Sequence, residues 1–582
     1  MVSMRQVAAL GGAAVLIVGC ESGDINLQPT TIDNSTGGGG GGTPQNPCAR
    51  YEQDGQTFQG ELDADGNCYY DATFVSSTRP IRAESVTFAN FGGLHVFEDS
   101  LYVGEDVNAI DAAAGRRIPQ EGEGTRLVIE AGNTLVFTAA DSYVRIARGS
   151  QIFAEGTADA PITFTADEDA LLGLATENDR GLWGGIQING NGWTNKCDDG
   201  SPTGARGGVD PKVTGPSDPA YPGGDFAPTE NNVHNCHVTA EGRPATYGGN
   251  NNAESSGVLT YVVIKHAGYE VVDGDELNAL TLNAVGSGTT ISHVQVYTTQ
   301  DDGFEMFGGA VNLDHIVAVN VGDDSIDYSE GYTGHIQYAV VVQTSGSNRC
   351  IEADNTGTDR ADDGTPSTLL RISNLTCVTS NVAMNAGTNP SSKGDAEGLL
   401  FREGAHFELY NSIVTSNEVA MTSNECFELE DTEGPQTVDA AQAGISIAKS
   451  NIIACSEPLK LAADVSNAGF DLAVWLAGGD GSAEVPTNDN SNNVVVDVNL
   501  PAMLLDGGVG TRAYRTLELL TDSTGAQIFD QSGTTSAGGT GQLFDVSTVS
   551  EFFETPTYLG GASVTDDWLE GWTVGLSEPL VP

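Results

Sequence analysis

Ile291-Ser292-His293-Val294-Gln295-Val296 is followed 22 residues later by Leu313-Asp314-His315-Ile316-Val317-Ala318, and 23 after that by Ile336-Gln337-Tyr338-Ala339-Val340-Val341. A second column keeps step: Asp302-Gly303-Phe304-Glu305, then Asp324-Ser325-Ile326-Asp327, then Cys350-Ile351-Glu352. Apolar and polar residues alternating over four to six positions read as strands. Two or more short strands in each interval, separated by Gly and Asp, leave no room for crossover helices. One coil of a parallel β-helix per interval satisfies this pattern. An antiparallel sandwich is the competing arrangement, and it predicts hairpin pairs where this sequence shows a stacking register.

The pattern extends both ways. Leu127-Val128-Ile129 through Leu135 precedes Val144-Arg145-Ile146 through Ile152 by 17 residues, each with a glycine at the turn. Later, Ile372-Ser373-Asn374-Leu375 recurs as Leu409-Tyr410-Asn411-Ser412 and Ile447-Ala448-Lys449-Ser450, at intervals of 37 and 38. Longer intervals imply rim loops, such as Asn355 to Pro366. From Leu459 to Ala477 the period changes: Leu461, Val465, Ala468, Leu472 and Trp475 share a helical face, closed by Gly478-Gly479. With Phe552, Phe553, Tyr558, Trp568 and Trp572, this helix reads as the cover an open solenoid end requires. The aromatics are assigned to core rather than to sugar platforms. The expected fold is all-β, a parallel β-helix with a C-terminal cap containing one helix. Its expected partition is a signal peptide (1–20), a tether (21–47), a disulfide-bearing N-terminal segment and cap (48–120), the β-helix with rim loops (121–455), and the C-terminal cap region (456–582).

The amino terminus, MVSMRQVAALGGAAVLIVGC, has a basic Arg5 and an apolar run shorter than the ~20 residues a spanning helix needs. Ile17-Val18-Gly19-Cys20 looks like a lipobox, which implies a lipid on Cys20; an ordinary signal peptide is the plainer alternative. Glu21 stands where an inner-membrane retention Asp would be, so the outer membrane is the expected address, with the chain facing the periplasm or the cell surface. Gly37 to Gly42 then forms a flexible tether. With 80 Asp and Glu against 24 Lys and Arg, the net charge is -56. That balance excludes a nucleic-acid binder, which needs clustered cations to hold phosphate, and a polybasic lipid-docking face. It fits a saline exterior or divalent cations.

Setting Cys20 aside leaves Cys48, Cys68, Cys197, Cys236, Cys350, Cys377, Cys426 and Cys455, an even number in an exported chain. Sequential pairing is preferred for locality alone, out of roughly 105 connectivities. No two of these cysteines are close enough for a CxxC-type zinc site.

Several segments resemble pectin-lyase-like bacterial surface lipoproteins. They include Gly156-Thr157-Ala158-Asp159-Ala160-Pro161-Ile162-Thr163-Phe164, Gly181-Leu182-Trp183-Gly184-Gly185-Ile186, Tyr247-Gly248-Gly249-Asn250, Asp301-Asp302-Gly303-Phe304-Glu305-Met306-Phe307-Gly308-Gly309 and Asp567-Trp568-Leu569-Glu570-Gly571-Trp572-Thr573. The resemblance runs from about residue 125 to the end. It implies a right-handed parallel β-helix on a secreted or surface-anchored protein, and it carries no particular chemistry, since such relatives largely lack an assigned activity.

If the columns stack at the inter-strand spacing of about 4.8 Å, Glu305, Asp327 and Glu352 form one carboxylate ladder, and Asp302 and Asp324 a second. Two carboxylates at that distance repel by about 0.9 kcal/mol in water-like surroundings and about 3.5 at an effective dielectric of 20. A partly buried ladder therefore wants a cation or a shared proton, and oxygen-only ligands suit Ca²⁺; solvated acid with diffuse counterions is the bland alternative. Tyr261, His293, His315 and Tyr338 form a further column, either a strip able to contact a sugar polymer or a packing ladder. Two histidines 22 residues apart could hold a transition metal, but the sequence offers no third ligand. GxSxG, HExxH and GxxxxGK[ST] are absent, and Glu61 to Ala72 lacks the terminal Glu of an EF-hand.

The expected function is a non-catalytic binding, adhesion or scaffold module of the envelope, Ca²⁺ being its candidate cofactor and a polysaccharide or another envelope protein its candidate partner. The alternative is a calcium-dependent polysaccharide lyase or hydrolase. Lyases on this fold generally pair an acidic calcium site with a basic residue that abstracts a proton. Arg402 is the candidate, with Arg349 and Arg371 on nearby coils, although a body at -56 repels polyuronates unless calcium screens it.

Overall fold

The computed structural model describes residues 46–576, except 197–236, 244, 273–274, 345, 356–366, 381–396, 417–424, 432–436, 462–469, 480–488, 497–500, 508–510 and 533–540. The signal peptide, Cys20, nearly all of the tether, Cys197 and Cys236 therefore lie outside the described residues. The chain forms a right-handed parallel β-helix. One sheet stacks ten parallel strands, from Leu101–Val103 through Phe304–Phe307, Ile326–Ser329 and Arg349–Ala353 to Glu457–Leu461. The second is built from longer strands, among them Gly257–Lys265, Thr290–Tyr297, Asn312–Val319, His335–Val342 and Leu369–Thr379.

Each long strand turns a corner at one residue. Thr260 pairs with Ser292 and Val262 with Val294, while Tyr261 and His293 drop out of the ladder; the same gap falls at His315, Tyr338 and Asn374. Tyr261, His293, His315, Tyr338, Asn374, Asn411 and Ser450 all have left-handed backbones, with φ between 48° and 62°. That conformation costs about 1–2 kcal/mol per non-glycine residue. In return, both arms of the strand face inward: Ile291, Val294 and Val296 all enter the core, as do Leu313, Ile316 and Ala318. The Ile-x-x-Val-x-Val spacing, which breaks strict alternation at one point, is the corner written in sequence.

Parallel pairing begins well before residue 121. Cys68–Tyr70 pairs with His95–Phe97, which pairs with Thr134–Phe137, and Ser85–Phe88 pairs with Arg126–Ile129. Residues 48–120 therefore hold the first coils. These strands are three or four residues long and filled by packed rings, Tyr70 stacked on Phe97, Phe97 on Phe137 and Phe88 edge-on to Tyr70, rather than by a repeated aliphatic pattern. At the other end, Leu459 and Leu461 belong to a strand, not a helix. Glu457–Leu461 pairs with Glu425–Leu429, because completing the sheet satisfies a whole edge of backbone donors and acceptors. The described helix is Leu472–Leu476, capped by Asp471 and ended at Gly478 (φ 98°), with Trp475 buried against Phe407.

The aromatic tail does not sit on the open end. Residues 558–576 form a strap along the outside of the corner, running back toward the N-terminal coils. Gly560 N–H donates to Asn411 O at 2.8 Å, and Asn374 Nδ2 donates to Tyr558 O at 2.8 Å. Farther back, Gln295 exchanges two hydrogen bonds with the Val574 backbone, at 2.7 and 2.8 Å. A Cβ on Gly561 would stand 2.1 Å from Ala339 O, so only glycine lets the strap lie this close. Beneath it, the outward Val263, Val317, Val319, Val340 and Val342 pack on Ala562, Leu569, Trp572 and Leu576. This arm of the second sheet is thus apolar on both faces, and the strap covers the face that would otherwise meet water.

Three disulfides occur among the described residues, Cys48–Cys68, Cys350–Cys377 and Cys426–Cys455, all sequential pairs. The second joins the two sheets inside the core. Replacing Cys350 and Cys377 together by Ser is expected to lower unfolding free energy by about 3–4 kcal/mol, the chain-entropy value for a loop of this size. A denaturant titration checks it by a lower midpoint and a lower extrapolated unfolding free energy, with a slope that rises as the freed unfolded chain exposes more surface.

Candidate functional site

The ten-stranded sheet carries its acids on the outer face. Register places Thr281, Glu305, Asp327 and Glu352 in one column, continuing through Leu400 and Glu428 to Lys460. At the preceding turn, Asn278, Asp302 and Asp324 form a second ladder built on backbone bonds. Asp302 N–H donates to Asn278 Oδ1 (3.2 Å), Asp324 N–H to Asp302 Oδ1 (2.9 Å), and Arg349 N–H to Asp324 Oδ1 (2.9 Å). One oxygen of each aspartate thus fastens the next coil. Asn278 Nδ2 also donates to Glu305.

These acids crowd. Carboxylate oxygens of Asp302, Glu305 and Asp327 lie within 4.8 Å of one another, as do those of Asp324, Asp327 and Glu352. Asp301 and Asp323 join Asp302 in the same way, and Glu397, Glu425 and Glu428 form a further group. Burial, then neighbouring carboxylates, hold Asp302, Glu305, Asp324 and Asp327 well above the usual carboxylate range. Glu352 is pushed up to about 7 by burial, against the pull of Arg402 and Arg349.

Cations are distributed unevenly along this seam. Arg349 pairs with Glu397 and stands 3.4 Å from Glu352. Arg402 holds Glu352 at 2.9 Å and Asp354 at 2.7 Å, and Lys460 pairs with Glu425 and lies 3.4 Å from Glu428. Asp324 feels Arg349, and Asp327 feels Arg402. The charges acting most strongly on Asp302 and Glu305 are all carboxylates: Asp301, Asp323, Asp327, Glu241 and Glu330 among them. Among the described residues, Arg349, Arg402 and Lys460 neutralise the later coils, whereas carboxylates dominate the field at Asp302 and Glu305.

Each arginine that the lyase alternative needs is engaged. Arg402 is raised further above its ordinary value: burial opposes its charge, but the bond to Asp354 and the fields of Asp354, Glu352 and Asp327 outweigh it. Arg371 pairs with Glu408 at 3.2 Å on the second sheet, away from the seam.

The four-ring column is continuous. Tyr261 stacks on His293 at 4.4 Å, His293 on His315 at 4.5 Å, and His315 meets Tyr338 at 4.8 Å. The strap lies against it: Trp568 meets both histidines edge-on, Trp572 meets Tyr261, and Tyr558 meets Tyr338. Burial, then the neighbouring His315, lowers His293 to about 4. Glu397, Glu425, Glu428, Asp354 and Lys460 escaped the sequence reading because long intervals hid their phase. The echo of Cys350-Ile351-Glu352 in Cys426-Phe427-Glu428 was the available signal.

Across residues 118–211 and 226–475 the chain matches the family described as the pectate-lyase-like β-helix domain. No curated protein and no solved structure matches it.

The raised carboxyls fix a pH dependence. Glu352 holds its proton in the folded state up to about 7, against an ordinary value of 4.5. Its contribution is therefore complete below the lower value and lost as pH rises through the upper one. Histidines such as His293 and His335, lowered to about 4 and about 3 by burial, act in the opposite sense. Comparison with Glu352→Gln isolates the acid: in EDTA, the stability of the wild type relative to this variant is expected to fall between roughly pH 4.5 and 7.

Proposed function

The chain belongs to the pectate-lyase-like β-helix family, and from that premise we propose that it is a non-catalytic scaffold or adhesion module of the cell envelope. On this reading a lipid on Cys20 anchors it in the outer membrane, residues 21–47 hold the body away from the lipid, and Ca²⁺ stabilises the acidic seam. The observation that carries the non-catalytic reading is that Arg349, Arg371 and Arg402 are all committed to carboxylates. Arg402, raised further above its ordinary value by its acid partners, is a poor proton acceptor. The calcium part is supported by Asp302, Glu305 and Asp327, whose oxygens converge within 4.8 Å and which burial and neighbouring carboxylates hold well above the usual range. Hard carboxylate oxygens in such a cluster suit Ca²⁺, with water or backbone oxygen completing its six to eight ligands.

The ring column serves this module as the seat of the strap. Its sugar-contact role would require an open strip, and Trp568 and Trp572 occupy the approach. Contact with a polysaccharide or another envelope protein then falls to other surfaces.

In millimolar Ca²⁺ the melting temperature is expected to rise above its value in EDTA, by about 2.7 kcal/mol of stability when the ion is at 100 times its dissociation constant. Asp302→Asn with Glu305→Gln removes the rise; an identical melting temperature with and without Ca²⁺ eliminates the ion site. Separately, acidic and neutral polysaccharides incubated with the protein and Ca²⁺ are expected to keep their chain length. Shortening that Arg402→Ala abolishes would establish the lyase or hydrolase alternative instead.

A further inference from the structure

Beside the ring column runs a polar one, Ser292 and Asp314, one residue earlier on the same coils. The left-handed corner at His293 and His315 turns both imidazoles outward next to this column, so four donor groups meet. Ser292 Oγ lies 2.8 Å from His293 Nδ1 and donates to Asp314 Oδ1 at 2.6 Å; His315 Nδ1 lies 2.7 Å from the same Asp314 oxygen. The ligand atoms of His293, Asp314 and His315 all fall within 4.8 Å of one another. Asp314 is the third ligand that the spacing of the two histidines leaves unspecified.

We propose that His293, Asp314 and His315, with Ser292 beside them, form a binding site for one divalent transition-metal ion of the imidazole-preferring kind, Cu²⁺ or Zn²⁺. Two imidazole nitrogens and one carboxylate are a donor set such ions favour over Ca²⁺. Adjacent ligands on an ion at metal–nitrogen distances of about 2.0–2.1 Å stand about 3 Å apart. Among the three ligands, His315 Nδ1 and Asp314 Oδ1, 2.7 Å apart, are already near that spacing, and Ser292 Oγ bridges His293 Nδ1 to the same carboxylate. The two rings are parallel to within 6° at 4.5 Å, and a nitrogen lone pair lies in its ring plane. The ion therefore demands that the imidazoles tilt out of the stack until both Nδ1 atoms face it, each moving its proton to Nε2. The site is reachable, with the Asp314 and His315 side chains 35% and 24% exposed. Each histidine is fixed at a corner residue of the fold, so the ligands come from two coils and the ion would join them. This site is on a different sheet from the acidic seam and is independent of the function proposed above.

Copper and zinc distinguish it. Untagged full-length protein in millimolar Ca²⁺, which fills hard oxygen sites, is titrated with Cu²⁺ and, separately, Zn²⁺. One equivalent is expected to bind, Cu²⁺ quenching the fluorescence of neighbouring Trp568 and giving an electron paramagnetic resonance spectrum with coupling to two nitrogens. His293→Gln with His315→Gln should weaken that equivalent by about tenfold or more, the scale on which metal sites respond to lost support. Asp302→Asn should leave it intact. No binding, an oxygen-only spectrum, or equal binding by the double variant that retains wild-type circular dichroism would each overturn the proposal. Since Asp314→Asn keeps the rings and their stack, its weaker binding is also expected, and wild-type affinity there would remove Asp314 from the ligand set.

Discussion

Parallel pairing at a spacing of about 4.8 Å sets each residue over its counterpart one coil away, and every other feature of this molecule answers to that repetition. For apolar residues the repetition is favourable: Ile291, Leu313 and Ile336 make a continuous core column. For amides and short acids it is favourable in another way, because Asn278, Asp302 and Asp324 each use a side-chain oxygen to hold the next backbone N–H. For carboxylates facing outward it is costly, since like charge stacks on like. Glu305, Asp327 and Glu352 obey the register and accumulate the repulsion. Toward the C-terminal coils Arg349, Arg402 and Lys460 relieve it.

The coils were legible because their inward residues recur in fixed phase, and the corner left a mark in the single break of alternation at positions 293, 315 and 338. The acid ladders followed from the same phase. Where the fold relied on something other than aliphatic periodicity, the sequence was silent. Cys68–Tyr70 and His95–Phe97 are coil strands recognised by their ring stacking, which has no linear pattern. Leu459 and Leu461 share a spacing compatible with a helix face, and an open sheet edge decided in favour of a strand.

The candidate site shows the same division. Glu305, Asp327 and Glu352 could be aligned from sequence, but their ion pairs with residues tens of positions away could not. Arg402 looked like a spare base because Asp354, its closest partner, lies 48 residues earlier. The rings of Tyr261, His293, His315 and Tyr338 were correctly stacked by spacing. What lay over them was invisible, since Trp568 and Trp572 are more than two hundred residues downstream of the rings they touch.

A solenoid whose coils touch only their neighbours unfolds like a zipper, losing units from either end at little cost to the rest. The strap changes that arithmetic here. By touching Asn411, Asn374, His315 and Tyr261 in one pass, it makes coils far apart in the stack share a partner. Fraying of a single coil then exposes strap as well as strand, so the array behaves as one cooperative unit. It also orders biogenesis: the strap leaves the ribosome after every coil it covers, and the corner valines beneath it wait for it. Arrival of the strap, rather than addition of each coil, is the event that seals the body.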